Sequence, residues 1–401
     1  MSRRILFVEM AHGFGGSIVS LYQLARGLDR SRYEPVALFY RPNAYLPRFE
    51  AEGLRTIVLN SKQGQAKPAS AASIGGRPPG SDDSLRRRLA AGVALLRQVA
   101  PGAARLLRII RRERIDLVHL NDVLISNREG VIAARLAGIP CVSHIRAFER
   151  LTALDRWLAR RVDAFLYISR AIAVAHQAQG VPAGRGRVIY NALEPGEFEG
   201  IADRRTARQA LGLADSDQVV GLIGRLVAWK GHRVFLPAMA RLAQSHPNLR
   251  CLIVGEPDPT EPAYAGELEA LTAQLGLEER VVFTGYRQGI PTLLPALDVL
   301  VHCSLKPEPF GRVIIEGMAA GVPVVGAADG AVPEIIEDGR SGLLAAPGDV
   351  QGLAAAVERI LDDPHLADSL RQAARRRVNE LFTVDAHVRQ VQEVYQTLLG
   401  E

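Results

Sequence analysis

The chain contains few cysteines, few aromatic residues and no long apolar run, and each scarcity excludes a class of protein. Its three cysteines among 401 residues, Cys141, Cys251 and Cys303, are scattered through apolar sequence without metal-ligand spacing. A disulfide framework and a structural zinc site are therefore not expected. No apolar run approaches the roughly 18 residues that a membrane span needs. Aromatic residues make up 5% of the chain and do not interleave with basic stretches as in RNA-binding modules, so nucleic acid is the least favoured partner.

The sequence also lacks the motifs of several common enzyme classes. It has no Gly-x-Ser-x-Gly elbow and no lysine in a pyridoxal-phosphate context, so nothing supports a hydrolase or a phosphorylase. The single Asp-x-Asp sequence, Asp215-Ser216-Asp217, precedes an apolar run at 218–223 and is more typical of a turn than of a metal site. We therefore expect no metal and no cofactor.

The amino terminus and the chain length indicate a two-domain protein that stays in the cytoplasm. MSRRILFVEM predicts a strand rather than a signal peptide, because polar and glycine-rich sequence follows at once. A chain of 401 residues exceeds the usual size of one core, and 48% hydrophobic residues can fill two cores.

Strand-like and helix-like segments alternate along the chain. In the first half, apolar strands are predicted at 3–10, 33–39, 55–59, 116–120, 139–144 and 164–168, with helical stretches such as 130–137 between them. From residue 218 the alternation restarts with VVGLIGRL, LRCLIVGE, RVVFTGY, DVLVHCS and PVVGA. This alternation predicts α/β units with parallel, doubly wound sheets.

Residues 297–326, LDVLVHCSLKPEPFGRVIIEGMAAGVPVVG, form the most informative segment. The pattern predicts strand, loop, helix and strand, with Glu308 in the loop and Glu316 on the first or second turn of the helix. In open α/β sheets, ligands bind at the carboxyl ends of the strands, where a helix N-terminus offers N–H groups to an anion. The simplest alternative leaves Glu308 in solvent and pairs Glu316 with Arg312 at i, i+4.

The Glu-x7-Glu spacing inside EPFGRVIIEGMAAGVPVV resembles the signature of retaining nucleotide-sugar glycosyltransferases of family 4, which have the GT-B fold. The resemblance implies two doubly wound Rossmann-like domains facing across a cleft. It implies that Glu308 approaches hydroxyls of the donor sugar and that Glu316 holds the nucleotide ribose. It also assigns to the donor site the residues that follow Pro309: Phe310, Gly311, Arg312 and Val313.

The same resemblance implies the domain limits. VIYNALE, which ends at Glu194, resembles the domain-linking strand and turn of the family. This gives an N-terminal acceptor-side domain at 1–192 and a donor-binding domain at 193–380, and the closing helix, 381–401, is expected to pack back on the N-terminal domain. Residues 61–84 are rich in Gly, Pro, Ser and Ala, which predicts a mobile surface loop.

Two further segments of the C-terminal half carry donor-site candidates. Arg225 and Lys230 in GLIGRLVAWKG match the diphosphate clamp of the family. Because transfer from a nucleoside diphosphate sugar releases a diphosphate, fixed cations are needed where leaving-group charge grows. Gly255, Tyr286 and Arg287 follow two other strands, where the nucleotide base is expected. One more acidic residue, in a family-like segment that is expected to shape the cleft, is a candidate: Glu334.

Two places in the N-terminal half are predicted to contact donor phosphate or acceptor. Gly15, Gly16 and Ser17 open a helix after the first strand, although a tight βα connection explains them equally well, and the turn lacks the third glycine of a dinucleotide fingerprint. His144 ends a strand where family members often place a histidine near the transferred sugar, with Arg146 then beside the acceptor. We expect this strand end to be exposed, and a structural histidine is the alternative. A neighbouring strand end carries further candidates: His119, Asn121 and Asp122.

Charge is distributed unevenly along the chain. Residues 1–195 hold 30 Lys plus Arg against 15 Asp plus Glu, whereas residues 196–401 hold 19 against 28. Nine arginines lie within 85–115, interleaved with apolar residues at helical spacing. A basic amphipathic stretch is typical of a surface that lies on anionic lipid. The alternative is a pair of ordinary surface helices whose arginines face water.

We predict a retaining, metal-independent hexosyltransferase that moves a hexosyl or N-acetylhexosaminyl unit from a UDP- or GDP-linked donor to an acceptor hydroxyl. The predicted acceptor is a lipid-linked or membrane-adjacent glycan in polysaccharide biosynthesis. The predicted location is the cytoplasm, with peripheral attachment to the inner face of the plasma membrane. Two alternatives are a catalytically silent nucleotide-sugar-binding protein and a nucleotide-sugar epimerase of the same fold. His144 and Glu308 argue against the first, and the Glu-x7-Glu and Arg-x4-Lys pairs argue against the second.

Overall fold

The computed structural model describes residues 2–10, 15–59 and 99–401. Contacts divide the chain into two compact units. Unit 1 comprises Met1–Ile189 with His387–Glu401, and unit 2 comprises Tyr190–Ala386. The predicted surface loop at 61–84 and the first part of the arginine-rich stretch lie outside the described residues.

Unit 1 is built on a seven-stranded sheet in which every neighbouring pair is parallel. In chain order the strands are β1 Arg3–Glu9, β2 Tyr33–Phe39, β3 Arg55–Val58, β4 Leu117–Asn121, β5 Cys141–Ile145, β6 Ala164–Tyr167 and β7 Gly186–Val188. The helices are α1 Gly16–Gly27, α2 Leu46–Ala51, α3 at 99–112, α4 Arg128–Ala137, α5 Ala153–Ala159 and α6 Arg170–Gln177. Strands β1, β4 and β5 are buried along most of their length, as expected of a parallel sheet covered on both faces.

Unit 2 is built on a six-stranded parallel sheet. Its strands are β8 Gln218–Ile223, β9 Leu249–Val254, β10 Val281–Phe283, β11 Val299–His302, β12 Val324–Ala327 and β13 Leu343–Ala345. Its helices are α7 Arg204–Gln209, α8 His232–Leu242, α9 Tyr264–Gln274, α10 Ile290–Leu293, α11 Arg312–Ala320, α12 Val332–Ile335, α13 Val350–Asp362 and α14 Pro364–Leu381, followed by α15 Val384–Leu399, which continues into unit 1. The prediction of two doubly wound α/β sheets is confirmed.

The strand orders fix where each sheet can bind a ligand. Unit 1 has the order β3-β2-β1-β4-β5-β6-β7, and unit 2 has β10-β9-β8-β11-β12-β13. The direction of winding therefore reverses between β1 and β4 and again between β8 and β11. At such a switch point the loops after the two central strands diverge and leave a crevice at the carboxyl edge. The loops that follow β8 and β11 contain Lys230 and Glu308.

The described part of the arginine-rich stretch packs as an amphipathic helix. On α3 the apolar residues Val99, Leu106 and Ile110 are buried, whereas Arg108 and Arg111 are exposed. This half of the stretch has the form of an ordinary surface helix, which was the alternative to membrane contact. Among residues 2–10, 15–59 and 99–401, every helix is too short or too polar to span a bilayer.

The Asp-x-Asp sequence forms a turn, as predicted. Asp217 Oδ2 accepts a hydrogen bond from the Ala214 amide at 2.8 Å, immediately before β8 begins at Gln218. The turn therefore lies at the amino edge of the sheet, opposite the edge at which the switch-point crevice opens.

Candidate functional site

Lys230 and Glu308 meet at the switch point of unit 2. Lys230 lies in the short turn Ala228–Lys230 after β8, and Glu308 lies in the loop between β11 and α11. Lys230 Nζ donates to Glu308 Oε2 at 2.8 Å across 78 residues of sequence, and the ammonium also lies 4.3 Å from the centre of the Trp229 ring. Because Lys230 is only 17% exposed, its charge is held in one place rather than in bulk water.

Glu308 is buried and ionised. The alternative of a solvated loop residue is wrong, since Glu308 is only 8% exposed. Besides Lys230, its Oε2 accepts hydrogen bonds from His302 Nε2 and Ser304 Oγ, both at 3.0 Å. Burial alone would raise the pKa of Glu308, but the hydrogen bonds from His302 and Lys230 and the Lys230 charge hold it well below its usual range. Within the described residues, Glu308 Oε1 accepts no hydrogen bond, and this oxygen can serve a ligand.

The backbone of Glu308 is fixed by the loop after β12. The Ala331 amide donates to the Glu308 carbonyl at 2.9 Å. Gly330 has φ of +60°, and a Cβ there would lie 2.4 Å from the backbone nitrogen and oxygen of Glu308. Only glycine allows this approach, so the segment around Gly330 packs directly on the backbone of Glu308 and fixes its position.

Helix α11 begins at Arg312, four residues after Glu308. Gly311 precedes the helix with φ of +91°, a conformation that favours glycine. The first hydrogen bond of this turn runs from the Ile314 amide to the Gly311 carbonyl at 2.9 Å, so the preceding amides of Arg312 and Val313 have no acceptor within the helix. The first turn of α11 holds no acidic residue. The partial positive charge at the N-terminus of the helix can therefore bind an anion or a hydroxyl oxygen.

Two of the predicted donor residues in this segment make contacts within unit 2. Phe310 is buried against Tyr190 and Phe382, with ring centres 6.2 and 5.9 Å away, so only its backbone can contact a ligand. Arg312 Nε donates to Glu316 Oε1 at 2.9 Å, which is the i, i+4 pair offered as the alternative for Glu316. The pair leaves the second carboxylate oxygen of Glu316 for another donor.

Arg225 lies apart from the Lys230–Glu308 pair. It follows β8, is 62% exposed and forms an ion pair with Asp258. Asp258 is buried and accepts from the Thr260 hydroxyl at 2.6 Å and the Thr260 amide at 2.9 Å, and these hydrogen bonds, together with the Arg225 charge, lower its pKa. No hydrogen bond or ion pair joins Arg225 to Lys230 or Glu308 in the described part of the chain. Asp258 thus holds Arg225 at the edge of the site.

The predicted base-binding residues come together at the ends of β9 and β10. The Gly255 amide donates to the Gly285 carbonyl at 3.0 Å, which joins the two loops. Tyr286, next in the chain, is 50% exposed, and Arg287 is exposed. Both side chains are accessible, as stacking on a base would require. Glu334 lies on the short helix α12, and its carbonyl accepts from Arg377 Nη2 at 2.8 Å.

The glycine-rich turn of unit 1 leads into α1. Helix α1 begins at Gly16, and Gly15 caps it without a side-chain hydrogen bond. A Cβ added at Gly15 or Gly16 would meet no atom of the described residues within 4 Å. The Ser17 carbonyl accepts from Asn121 Nδ2 at 3.3 Å, which ties this turn to the end of β4. Residues 11–14 lie outside the described part of the chain.

His144 is a buried residue, and the expectation of an exposed strand end is wrong. It is fully buried on β5, with its ring stacked on His387 of α15 at 5.7 Å. His144 Nδ1 lies 3.3 Å from His119 Nε2, and His119 Nδ1 lies 2.6 Å from the Tyr395 hydroxyl. Burial, reinforced by the nearby Arg146 charge, holds the pKa of both histidines well below the usual value, so both are neutral.

Arg146 defines the tautomer of His144. Arg146 Nη2 lies 3.4 Å from His144 Nδ1, and since a guanidinium can only donate, Nδ1 is the acceptor. The neutral ring therefore carries its proton on Nε2, which is buried and has no hydrogen-bond partner within the described residues. Arg146 also donates to Asn121 Oδ1, and Asn121 donates to Glu9, both at 2.5 Å.

Several residues of these sites were missed by the sequence analysis. His302, Ser304 and Asp258 carry hydrogen bonds to predicted residues but match no motif. The available signal was their position, because His302 ends the apolar strand β11, and Ser304 and Asp258 lie in the loops after β11 and β9. Asp122, weighed as a candidate, has φ of +82°, and burial with the nearby Glu9 charge raises its pKa to about 7.

Comparisons with known proteins agree with this geometry. Residues 15–192 match the family described as glycosyl transferase 4-like domain, and residues 203–377 match glycosyl transferases group 1. The chain is 30% identical over 341 residues to the 2-deoxystreptamine glucosyltransferase of Streptomyces kanamyceticus, covering 79% of this chain and 87% of the relative. It is also 30% identical over 253 residues to the lipopolysaccharide core biosynthesis mannosyltransferase LpsB of Rhizobium meliloti, covering 62% of this chain and 70% of that protein.

A solved structure extends the similarity over nearly the whole chain. The crystal structure of Anabaena Alr3699/HepE in complex with UDP and glucose has a TM-score of 0.80 and 29% identity, covering 98% of this chain and 99% of that chain. Both halves of the chain match glycosyltransferase families, and both sheets have the Rossmann-like winding. The chain therefore belongs to the group 1 glycosyltransferases of the family 4 type, which have the GT-B fold.

Proposed function

We propose that the protein transfers a hexosyl or N-acetylhexosaminyl unit from a UDP-linked donor to an acceptor hydroxyl, with retention of anomeric configuration and without a metal. The observation that carries this proposal is the buried Lys230–Glu308 contact beside the N-terminus of α11, at the switch point of the unit 2 sheet. It combines a fixed cation, helix N–H groups and an ionised hydrogen-bond acceptor at one edge.

Each of these groups suits a different part of a nucleotide sugar. As the bond between the sugar and the diphosphate breaks, negative charge grows on the leaving phosphate oxygen, and a fixed Lys230 with the amides of α11 can stabilise it. Arg225, held by Asp258, supplies a second positive charge. Glu308 Oε1 is suited to accept a hydrogen bond from a sugar hydroxyl. The remaining oxygen of Glu316 is suited to a ribose hydroxyl, and Tyr286 with Arg287 to the base.

The choice of a UDP-linked rather than a GDP-linked donor is supported by the solved relatives. The Anabaena protein has been crystallised with UDP, with UDP-glucose, and with UDP and glucose. Its 29% identity extends over 98% of this chain. A nucleotide with a uracil base is therefore the donor class proposed here.

The proposed acceptor is a lipid-linked or membrane-adjacent glycan in polysaccharide biosynthesis. The support is the excess of basic residues in the N-terminal half, the exposed Arg108 and Arg111 on α3, and the relative that acts in lipopolysaccharide core synthesis. We assign Arg146 and the turn Gly15–Ser17 to contacts with the donor phosphate or the acceptor. His144, whose ring is fully buried, is assigned to supporting Arg146 rather than to contacting the sugar.

Stereochemistry and metal dependence test the proposed reaction. Hydrolysis of the UDP-sugar in the absence of an acceptor should release the sugar with the anomeric configuration of the donor, seen by NMR before mutarotation. Activity should survive excess EDTA, because Lys230 and the α11 amides supply the positive charge that a metal would otherwise provide. Release of the inverted anomer would remove the retaining assignment. Loss of activity on chelation, restored by manganese, would remove the metal-independent one.

Glu316→Gln is expected to raise the apparent KM for the donor about fivefold to tenfold, with kcat almost unchanged, because ribose hydrogen bonds persist from ground state to transition state. Initial rates over a range of donor concentration give both constants. Arg312→Lys serves as the companion variant, since it keeps a cation beside Glu316. A large fall in kcat at constant KM in Glu316→Gln would instead place this residue at the reacting sugar.

Binding to anionic membranes tests the proposed acceptor side. The protein should sediment with vesicles that contain anionic lipid but not with neutral ones. The binding should weaken as the salt concentration rises, because at 0.1 M salt the attraction between charges is screened beyond about 10 Å. Arg108→Glu with Arg111→Glu should reduce the bound fraction. Arg241→Glu with Arg376→Glu makes the same charge change on unit 2 and is the matched control. Equal recovery in the supernatant with both lipids at low salt would redirect the acceptor assignment to a soluble molecule.

A further inference from the structure

A buried histidine and two carboxylates come together at the amino edge of the unit 2 sheet. His246 lies between α8 and β9, and Glu358 and Asp362 lie on the last turns of α13. His246 Nε2 is 3.8 Å from Glu358 Oε1 and 3.8 Å from Asp362 Oδ1, and the three ligand atoms all lie within 4.8 Å of one another. Gln218 begins β8, so this cluster is at the opposite edge of the sheet from Lys230 and Glu308.

His246 directs its Nε2 atom towards the two carboxylates. The residue is 6% exposed, and its Nδ1 lies 3.0 Å from Gln218 Oε1. A carbonyl oxygen can only accept, so Nδ1 carries a proton, and Nε2 is the ring nitrogen that faces the two carboxylates. Nε2 is buried and has no hydrogen-bond partner within the described residues. Three potential metal-ligand atoms therefore face one another.

The two carboxylates also lack the partners that acidic residues on a helix normally have. Glu358 and Asp362 are four residues apart, a like-charge spacing that destabilises a helix, and they lie at the negative end of α13. Among residues 2–10, 15–59 and 99–401, neither forms an ion pair with a lysine or arginine. Ser245 Oγ lies 3.3 Å from Glu358 Oε1, and Arg280 Nη1 donates to the carbonyls of His246 and Pro247 rather than to the carboxylates.

We propose that His246, Glu358 and Asp362 form a binding site for a divalent transition cation of the Zn²⁺ class. One imidazole nitrogen and two carboxylate oxygens suit such an ion, with water in the remaining positions. Ligand atoms around tetrahedral zinc are about 3.3 Å apart, so the two distances from His246 Nε2 must shorten by roughly half an ångström. The side chains of Glu358 and Asp362 are 44% and 61% exposed and can move that far. Gln218 is the outer partner that orients the imidazole.

A cation here would fasten the end of α13 to the segment between α8 and β9. Helix α13 already packs on α8, and the ion would neutralise the two carboxylates at the negative end of α13. The site stabilises unit 2 and takes no part in sugar transfer, because it lies at the edge opposite Lys230. This inference does not depend on the proposed donor or acceptor.

Calorimetric titration with Zn²⁺, with Mn²⁺ as a second probe, tests the site in protein that has been stripped with EDTA and desalted. We expect one Zn²⁺ per chain and a rise in Tm on binding. Glu358→Gln with Asp362→Asn should weaken Zn²⁺ binding at least about tenfold and abolish the rise in Tm. His246→Ala should have the same effects. If the loss of buried His246 impairs folding, the double variant still tests the site, because Glu358 and Asp362 are exposed.

His365→Ala is the matched control, because His365 is an exposed histidine three residues beyond Asp362 and outside the cluster. It should bind Zn²⁺ like the wild type. Absence of saturable binding in the wild type, or equal binding by the Glu358→Gln and Asp362→Asn double variant, would overturn the proposal. If Zn²⁺ leaves the wild-type Tm unchanged and the double variant is less stable without metal, the cluster is an ion pair of a protonated His246 and the proposal is wrong.

Discussion

Replacing Lys230 with alanine is expected to lower kcat about 10²–10³-fold, the range seen when one preorganised donor to a developing anion is removed. The ammonium is fixed by Glu308 and the Trp229 ring, so its charge is in place before the diphosphate begins to leave. Because this charge matters most as the bond breaks, kcat should fall more than the apparent KM rises. The rate of UDP release at saturating donor measures the effect.

Lys306→Ala is the control for Lys230→Ala, and Arg225→Ala tests the second residue of the diphosphate clamp. Lys306→Ala removes an exposed lysine from the same β11 loop and should keep nearly full turnover. Arg225→Ala should also lower kcat, although less than Lys230→Ala, because Arg225 is exposed to solvent that screens its charge. Unchanged turnover in Lys230→Ala or in Arg225→Ala would remove that residue from the diphosphate clamp.

Glu308→Gln is expected to lower kcat about 10–100-fold, which corresponds to losing a hydrogen bond to a charged group. The amide keeps the shape of the side chain but removes the negative charge that accepts from Lys230, His302 and Ser304. With its oxygen towards these three donors, the amide presents N–H groups to the sugar in place of the acceptor oxygen Oε1. Steady-state rates, with the Tm of each variant as a check on folding, measure the effect.

Variants of His302, which donates to Glu308, test whether Glu308 acts on the sugar. If Glu308 acts through its free oxygen on the sugar, His302→Ala should also lower kcat, and His302→Gln should recover part of it, because glutamine can donate from a similar position. Glu278→Gln, which alters an exposed acid of unit 2, is the control. Wild-type turnover in Glu308→Gln would show that the ionised oxygen takes no part in transfer.

Local pattern was sufficient for most of the fold. Strand β2 occupies the predicted range, and the other long strands begin and end within two residues of the predictions, because continuous apolar runs between polar turns define buried parallel strands. The three-residue edge strands Gly186–Val188 and Leu343–Ala345 were missed. Segments so short have no periodicity to detect, and they become strands by pairing with β6 and β12.

The burial of side chains in the sites could not be predicted, because it is produced by residues that are distant in the sequence. The burial of Glu308 arises from Lys230 and Gly330, which come from two other strand–helix connections. The burial of His144 arises from His387 and, through His119, from Tyr395, both on the last helix. The sequence near Glu308 or His144 contains no pattern from which these distant neighbours could be predicted. The spacing of Glu308, Glu316, Arg225 and Lys230 could therefore indicate a site, whereas the hydrogen bonds within it required the tertiary structure.

Thermal denaturation of the wild-type protein with UDP, UDP-sugars and the corresponding guanine and adenine nucleotides tests most directly whether this glycosyltransferase uses a UDP-linked donor. UDP and at least one UDP-sugar should raise the Tm, since a ligand at about 100 times its Kd stabilises the native state by about 2.7 kcal/mol. The shift should be smaller in Lys230→Ala and unchanged in Lys306→Ala. No stabilisation by any uracil nucleotide, or an equal shift with Lys230→Ala, would contradict a donor site built around Lys230 and Glu308.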